Sequence, residues 1–154
     1  MNTHYLSAER FKELEAEYRE LSTVRRQEVA ERLMRAKQDG DLSENAEYNE
    51  AKDEQSQLNR RLSELEEIIK NSEIIKKSGS SNKVSIGSEV TIKKEGQNNT
   101  IVYTIVGSQE ANPDEGKISN ESLVGSALLD KVVGDKVQVN TMNGQVTYTI
   151  KAIN

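Results

Sequence analysis

The chain has 154 residues, 34% of them apolar and 31% charged, with a formal net charge of −5. So little apolar material argues against one large globular core and for an elongated helical element whose surface stays mostly wet. The absence of cysteine excludes disulfides, thiol nucleophiles and thiolate zinc sites. No apolar run approaches the roughly 20 residues of a membrane span.

The N-terminus lacks a cationic start followed by an apolar stretch, so no export signal is expected and the protein reads as cytoplasmic. His4 is a lone histidine, expected at the surface and unable to make a metal site alone. The acidic excess falls within residues 1–76, whereas residues 77–154 are balanced. A protein that binds duplex nucleic acid unaided is usually basic, so the expected partner is another protein.

Helical spacing organises the first half. Phe11, Leu14, Tyr18 and Leu21 form one apolar stripe. A strict seven-residue continuation would place Arg25, Glu28, Arg32 and Arg35 on the seam; the apolar set moves instead to Val29, Leu33 and Ala36. That shift resembles a stutter, a local unwinding of a coiled coil. A second stripe runs through Tyr48, Ala51, Gln55, Leu58, Leu62, Leu65 and Ile69. The spacing predicts a hairpin of two helices, about 8–38 and about 44–75, that hide each other's stripes. At ~1.5 Å per residue such an arm extends roughly 45 Å. Tyr48 is expected in the seam, Gln55 is an inward polar residue that can fix register, and Arg25 and Arg26 read as a solvated face with Glu28.

Between the arms lies Asp39-Gly40-Asp41-Leu42-Ser43-Glu44. Gly40 suits the left-handed geometry just beyond a helix. Asp41-x-x-Glu44 reads as a capping box, in which the acids also favour the positive end of the second helix by ~0.3–1 kcal/mol. Calcium is a second alternative: Asp39, Asp41, Ser43, Asn45, Glu47 and Glu50 have EF-hand spacing, but Glu44 stands where that loop needs glycine. A third is an incomplete metal site, in which two carboxylates share a hard cation such as Mg²⁺ with a second macromolecule.

A polar segment at 77–83 reads as a linker. Beyond it the period becomes two, at Val90/Ile92, Ile101/Tyr103/Ile105, Val137/Val139 and Val146/Tyr148/Ile150. Asn143-Gly144 signals a hairpin turn, and Ser122 can cap a short helix from Leu123 to Leu129. The domains are therefore expected at 1–76, a hairpin with its acidic tip at 39–47, and at 84–154, a small α+β domain.

The run Gly40-Asp41-Leu42-Ser43-Glu44-Asn45-Ala46-Glu47-Tyr48 resembles the tip motif of the Gre family of transcript-cleavage factors. Val24-Arg25-Arg26, Ile118-Ser119-Asn120-Glu121-Ser122 and Ala127-Leu128-Leu129 extend the resemblance over nearly the whole chain. It implies an N-terminal antiparallel coiled coil that enters the secondary channel of RNA polymerase, and a C-terminal FKBP-like antiparallel β-sheet domain that docks on the channel rim. It also implies that Asp41 and Glu44 help to hold a Mg²⁺ shared with the polymerase, which then cleaves the nascent RNA of a backtracked complex near its 3′ end. Gly40, Leu42, Ser43, Asn45 and Tyr48 support the tip. Lys37 and Lys52 occupy the basic positions that contact RNA, as point charges where arginine would offer a planar fork. The factor would have no catalysis of its own and no tightly bound cofactor, and would act as a monomer away from membranes. Prolyl isomerase activity is not expected, because Tyr103 and Tyr148 are the only aromatics of the second domain. Leu123 and Asp130 depart from the family pattern, which commonly has proline and glycine there. A related alternative is a channel-binding inhibitor of polymerase; another is a plain coiled-coil scaffold.

Overall fold

The computed structural model describes residues 2–40, 45–76 and 82–154. Asp41, Leu42, Ser43 and Glu44, with the capping box they form, and residues 77–81 of the expected linker lie outside the described residues. The chain is α+β and packs as two compact units. One is the hairpin, Phe11–Asn71; the other joins the residues up to Arg10 to Ser72–Asn154.

The hairpin's first arm is α1 (Ala8–Glu20), a π-helical turn at Leu21–Arg25 and α2 (Arg26–Gln38). The π turn falls where the apolar stripe changes phase. Its wider i→i+5 bonding takes up the extra residue, so that Val29, Leu33 and Ala36 face inward instead of Glu28, Arg32 and Arg35. The second arm, α3, is Ala46–Lys70, with Ala51, Leu58, Leu65 and Ile68 buried. Ile68 is more deeply buried than the expected Ile69. The helix also stops earlier than its periodicity suggests. Asn71 closes it by donating its backbone N–H to Glu67 O at 3.0 Å, and the chain then turns extended.

That extended piece, β2 (Ser72–Ile74), pairs in parallel with β1 (His4–Leu6), matching His4 to Ser72 and Leu6 to Ile74. Leu6 is fully buried, and its carbonyl accepts from Ile75 N at 2.8 Å. The pairing draws residues 2–10 and 72–76 into the second unit, so the hairpin unit is shorter at both ends than the expected 1–76.

The second unit's main sheet has the order β5–β4–β3–β7–β6. Its strands are β3 (Glu89–Lys94), β4 (Thr100–Val106), β5 (Lys117–Ser119), β6 (Lys136–Thr141) and β7 (Gly144–Ile153). All neighbours are antiparallel except β5, which joins β4 in parallel, so the sheet is mixed at one edge. The period-two residues face one way. Val90, Ile92, Ile105, Val137, Val139 and Ile150 form the core with Val84 and with Leu128 of the covering helix α4 (Leu123–Leu128). Tyr103 and Tyr148 pack against this cluster. The β6–β7 hairpin forms as expected, but its register differs: Thr141 pairs with Gly144, so Met142-Asn143 make the loop and Gly144, φ +113°, opens β7.

Candidate functional site

The two arms meet through a short stretch of seam near the turn. Val29, Leu33, Ala51 and Leu58 form a buried cluster, with Leu21, Tyr48 and Leu62 packed around it. Tyr48 is half-buried there, as its seam position requires, and Lys52 one turn further on places its Nζ 5.9 Å from the centre of the Tyr48 ring. Lys37, in the last turn of α2, and Lys52 are both exposed. The basic positions therefore stand on both arms, one on each side of the connection. Gly40, just past α2, has φ +137°.

Asn45 is the N-cap of α3, although the sequence signal favoured Asp41 for that role. Its Oδ1 accepts from Tyr48 N at 3.1 Å, and its Nδ2 donates to Ala36 O at 2.8 Å. One side chain thereby satisfies an orphan N–H at the start of one arm and a terminal carbonyl at the end of the other. The EF-hand alternative meets a competing contact at its last position. Glu47 and Glu50 already belong to α3, and Glu50 pairs with Arg32 at 3.0 Å.

Further from the tip, charged side chains tie the arms together. Arg25 bonds Glu28 on its own arm at 3.0 Å and Glu54 on the other. Arg32, one heptad along, reaches the second oxygen of Glu54 at 2.7 Å. Arg25 is thus a cross-arm clamp as well as a solvated residue. Its guanidinium is held protonated more firmly than usual, through the hydrogen bond to Glu28 and then the charge of Glu54. Nearer the open end, Arg61 forks onto both oxygens of Glu17 at 2.7 and 3.0 Å, and Tyr18 donates to Glu66 at 3.0 Å. These pairs are partly exposed and screened by water, so each contributes little alone; together they fix the axial register of the arms. Spacing alone did not reveal Arg32, Glu54, Glu17 or Arg61 as partners, although Arg25 and Arg32 stand on the continued heptad.

In the second unit, the 118–122 segment is built by short hydrogen bonds. Ser119 O accepts from Ser122 Oγ at 2.7 Å, and Ser122 Oγ accepts from Gly125 N at 3.0 Å as the cap of α4. Gly125 is buried, and a Cβ there would collide with the Ser119 carbonyl, so α4 can sit this close to β5 only with glycine. Leu123 occupies N1 of the helix, where proline is well tolerated. Asp130 is the one non-glycine with positive φ among the described residues, at +63°. It takes the conformation a glycine would supply, at a cost on the order of 1 kcal/mol, while its N–H donates to Val84 O at 2.9 Å.

A helical hairpin with an acid-bearing connection, followed in the chain by a small mixed-sheet domain, is the two-domain architecture of a class of transcription elongation factors. Family models bear on both parts. One described as "Transcription elongation factor, N-terminal" matches residues 4–74, and one described as "Transcription elongation factor, GreA/GreB, C-term" matches residues 79–154. The transcription elongation factor GreA of Roseiflexus sp. (strain RS-1) is 46% identical over 147 residues, covering 95% of this chain and 94% of the relative. GreA of Bacillus cereus (strain ATCC 14579) is 44% identical over 152 residues, covering 98% and 96%. A crystal structure of the GreA factor homolog 1 protein of Thermus thermophilus covers 99% of each chain at 26% identity, with a TM-score of 0.46. The chain belongs to the GreA/GreB family of transcription elongation factors.

Proposed function

We propose that this factor inserts its hairpin into the secondary channel of bacterial RNA polymerase and stimulates cleavage of nascent RNA in backtracked complexes, without catalysis of its own. The observation that supports this most directly is the closed seam. Leu33, Ala36, Ala51 and Tyr48 hold the arms together up to the connection between Gln38 and Ala46, the stretch of chain that carries Asp41 and Glu44. Two carboxylates in so short a stretch are a hard-oxygen donor set suited to Mg²⁺ but too small to hold it tightly alone. A magnesium ion held jointly with the polymerase would supply activation of the attacking water. Asp41 and Glu44 orient that ion and water by offering negative oxygens, and Lys37 and Lys52 neutralise phosphates of the displaced RNA 3′ segment. The second unit docks on the channel rim. The factor works as a monomer in the cytoplasm; among the described residues no helix is long and apolar enough to cross a membrane.

The test adds purified protein and Mg²⁺ to a stalled elongation complex and resolves the RNA. Release of a short 3′ fragment, lost in Asp41→Ala or Glu44→Ala while polymerase binding persists, is the expected result. Full cleavage by the double substitution refutes the tip mechanism. Slowed nucleotide addition with no fragment released identifies a channel inhibitor instead.

A further inference from the structure

We propose, on the cleavage reading above, that Arg26 is a further contact for RNA phosphate, so that a long displaced segment runs down one flank of the hairpin. The two flanks of the seam differ in charge. One is defined by its cross-arm bonds, Arg25 to Glu54, Arg32 to Glu54 and Glu50, and Arg61 to Glu17. Each of those cations is matched by a carboxylate. Helix phase puts the ridges on the other side of the seam onto the opposite flank. On α2 these are Arg26, Ala30 and Lys37; on α3 they are Lys52, Ser56, Asn59 and Ser63. All are exposed.

Among the described residues, these ridges carry no carboxylate until Glu66, which is bonded to Tyr18. Glu31 and Asp53 stand on the backs of the arms, away from the seam. Arg26 and Lys37 form no ion pair among the described residues. The Tyr18 phenol, raised chiefly by its hydrogen bond to Glu66, feels the Arg26 charge in the opposite direction, so Arg26 faces the flank of that bond. A hairpin with an excess of acid thus keeps one strip free of it. Phosphates find cations and neutral hydroxyl and amide donors there, with no carboxylate to repel them. The strip is continuous with Lys37 and Lys52, and Arg26 adds a planar fork where those residues offer point charges. Arg26 lies about 16 Å from Lys37 along α2, at 1.5 Å per residue. A stacked strand advances about 3.4 Å per nucleotide, so roughly five nucleotides separate the two contacts.

The test measures binding of labelled factor to stalled elongation complexes, with Mg²⁺ withheld so that the RNA stays intact. The complexes are backtracked by about two or about eight nucleotides, short of Arg26 or beyond it. Arg26→Ala should weaken binding to the longer complex about fivefold to tenfold and leave the shorter within about twofold. On the longer complex, the slope of log affinity against log salt should fall by about 0.7, the value for one phosphate contact to a single strand. Arg35→Ala makes the same charge change on the ridge of Arg25 and Arg32, and should match the parent on both complexes. Melting followed by circular dichroism should be unchanged in either variant, because both side chains are exposed. Equal weakening of both complexes by Arg26→Ala would assign this arginine to an acidic surface of the polymerase and overturn the proposal. Parental binding to the longer complex, or an equal loss in Arg35→Ala, would overturn it too. Should the length-dependent loss appear while the parent releases no fragment once Mg²⁺ is added, only the cleavage reading falls.

Discussion

Leu33→Ala tests whether the π turn really sets the phase of the first arm. Leu33 is 8% exposed and fills the buried cluster nearest the turn, whereas its neighbour Met34 is 62% exposed. Truncating a buried leucine costs about 2–5 kcal/mol, from lost transfer energy and from the cavity left behind. A two-helix seam is one layer thick and water can enter the gap, which puts the cost at the low end, about 2–3 kcal/mol. Met34→Ala should stay within about 0.5 kcal/mol. Denaturant unfolding followed by far-ultraviolet circular dichroism measures both, and hydrogen exchange assigns the loss to α2 and α3 rather than to the sheet domain. Had the helix kept its regular phase through Leu21–Arg25, Arg32 would point inward and Leu33 would sit beside the seam. A Leu33→Ala cost below about 0.5 kcal/mol, or one no larger than that of Met34→Ala, refutes the reasoning.

Gly125→Ala should destabilise the second unit by about 1–3 kcal/mol despite alanine's better helix propensity, because the added carbon meets the Ser119 carbonyl; a raised melting temperature would contradict this. Leu123→Pro should be neutral or stabilising by about 0.4–1 kcal/mol, since Ser122 already has φ −68° and ψ 160°, which a following proline accepts; thermal unfolding checks it. The Tyr18 phenol is held above its ordinary pKa by its hydrogen bond to Glu66, and then by that carboxylate's charge. A pKa raised on folding contributes stability that is complete below the unfolded value, about 10, and disappears as pH climbs through the folded one. Alkaline unfolding should show that decline, Tyr18→Phe should lack it, and a tyrosinate absorbance titration should lose its high-pH component in the variant.

Much of this architecture is legible in the sequence because it is periodic. The two apolar stripes locate the arms, and the phase change between Leu21 and Val29 locates the π turn. Alternation at Val90/Ile92 and Val137/Val139 locates strands, and Ser122 marks its helix start. What spacing does not carry is register. Which acid meets Arg25, Arg32 or Arg61 depends on how far one arm slides along the other, and that is settled only when the seam packs. The strands His4–Leu6 and Ser72–Ile74 are too short to show a period; pairing with each other overrides the helical pattern that runs on past Lys70. The N-cap is a further case. Asp41 and Asn45 both carry capping side chains, and Asn45 has the additional partner at Ala36 across the hairpin. Of the expected site, Lys37, Gly40, Asn45, Tyr48 and Lys52 are placed around the connection, while Asp41, Leu42, Ser43 and Glu44 lie outside the described residues.

The stapling of β1 to β2 has a consequence for the order of events on the ribosome. Ser7 donates its backbone N–H and its hydroxyl to the two oxygens of Glu110, at 2.8 and 2.6 Å, across 103 residues of chain. At about 5–20 residues per second of translation, the Ser7 segment must wait on the order of 5–20 s for that partner. The hairpin, whose contacts are comparatively local, can zip in the meantime. The Ser7 segment is thus docked only after the hairpin that follows it in the chain has had time to form.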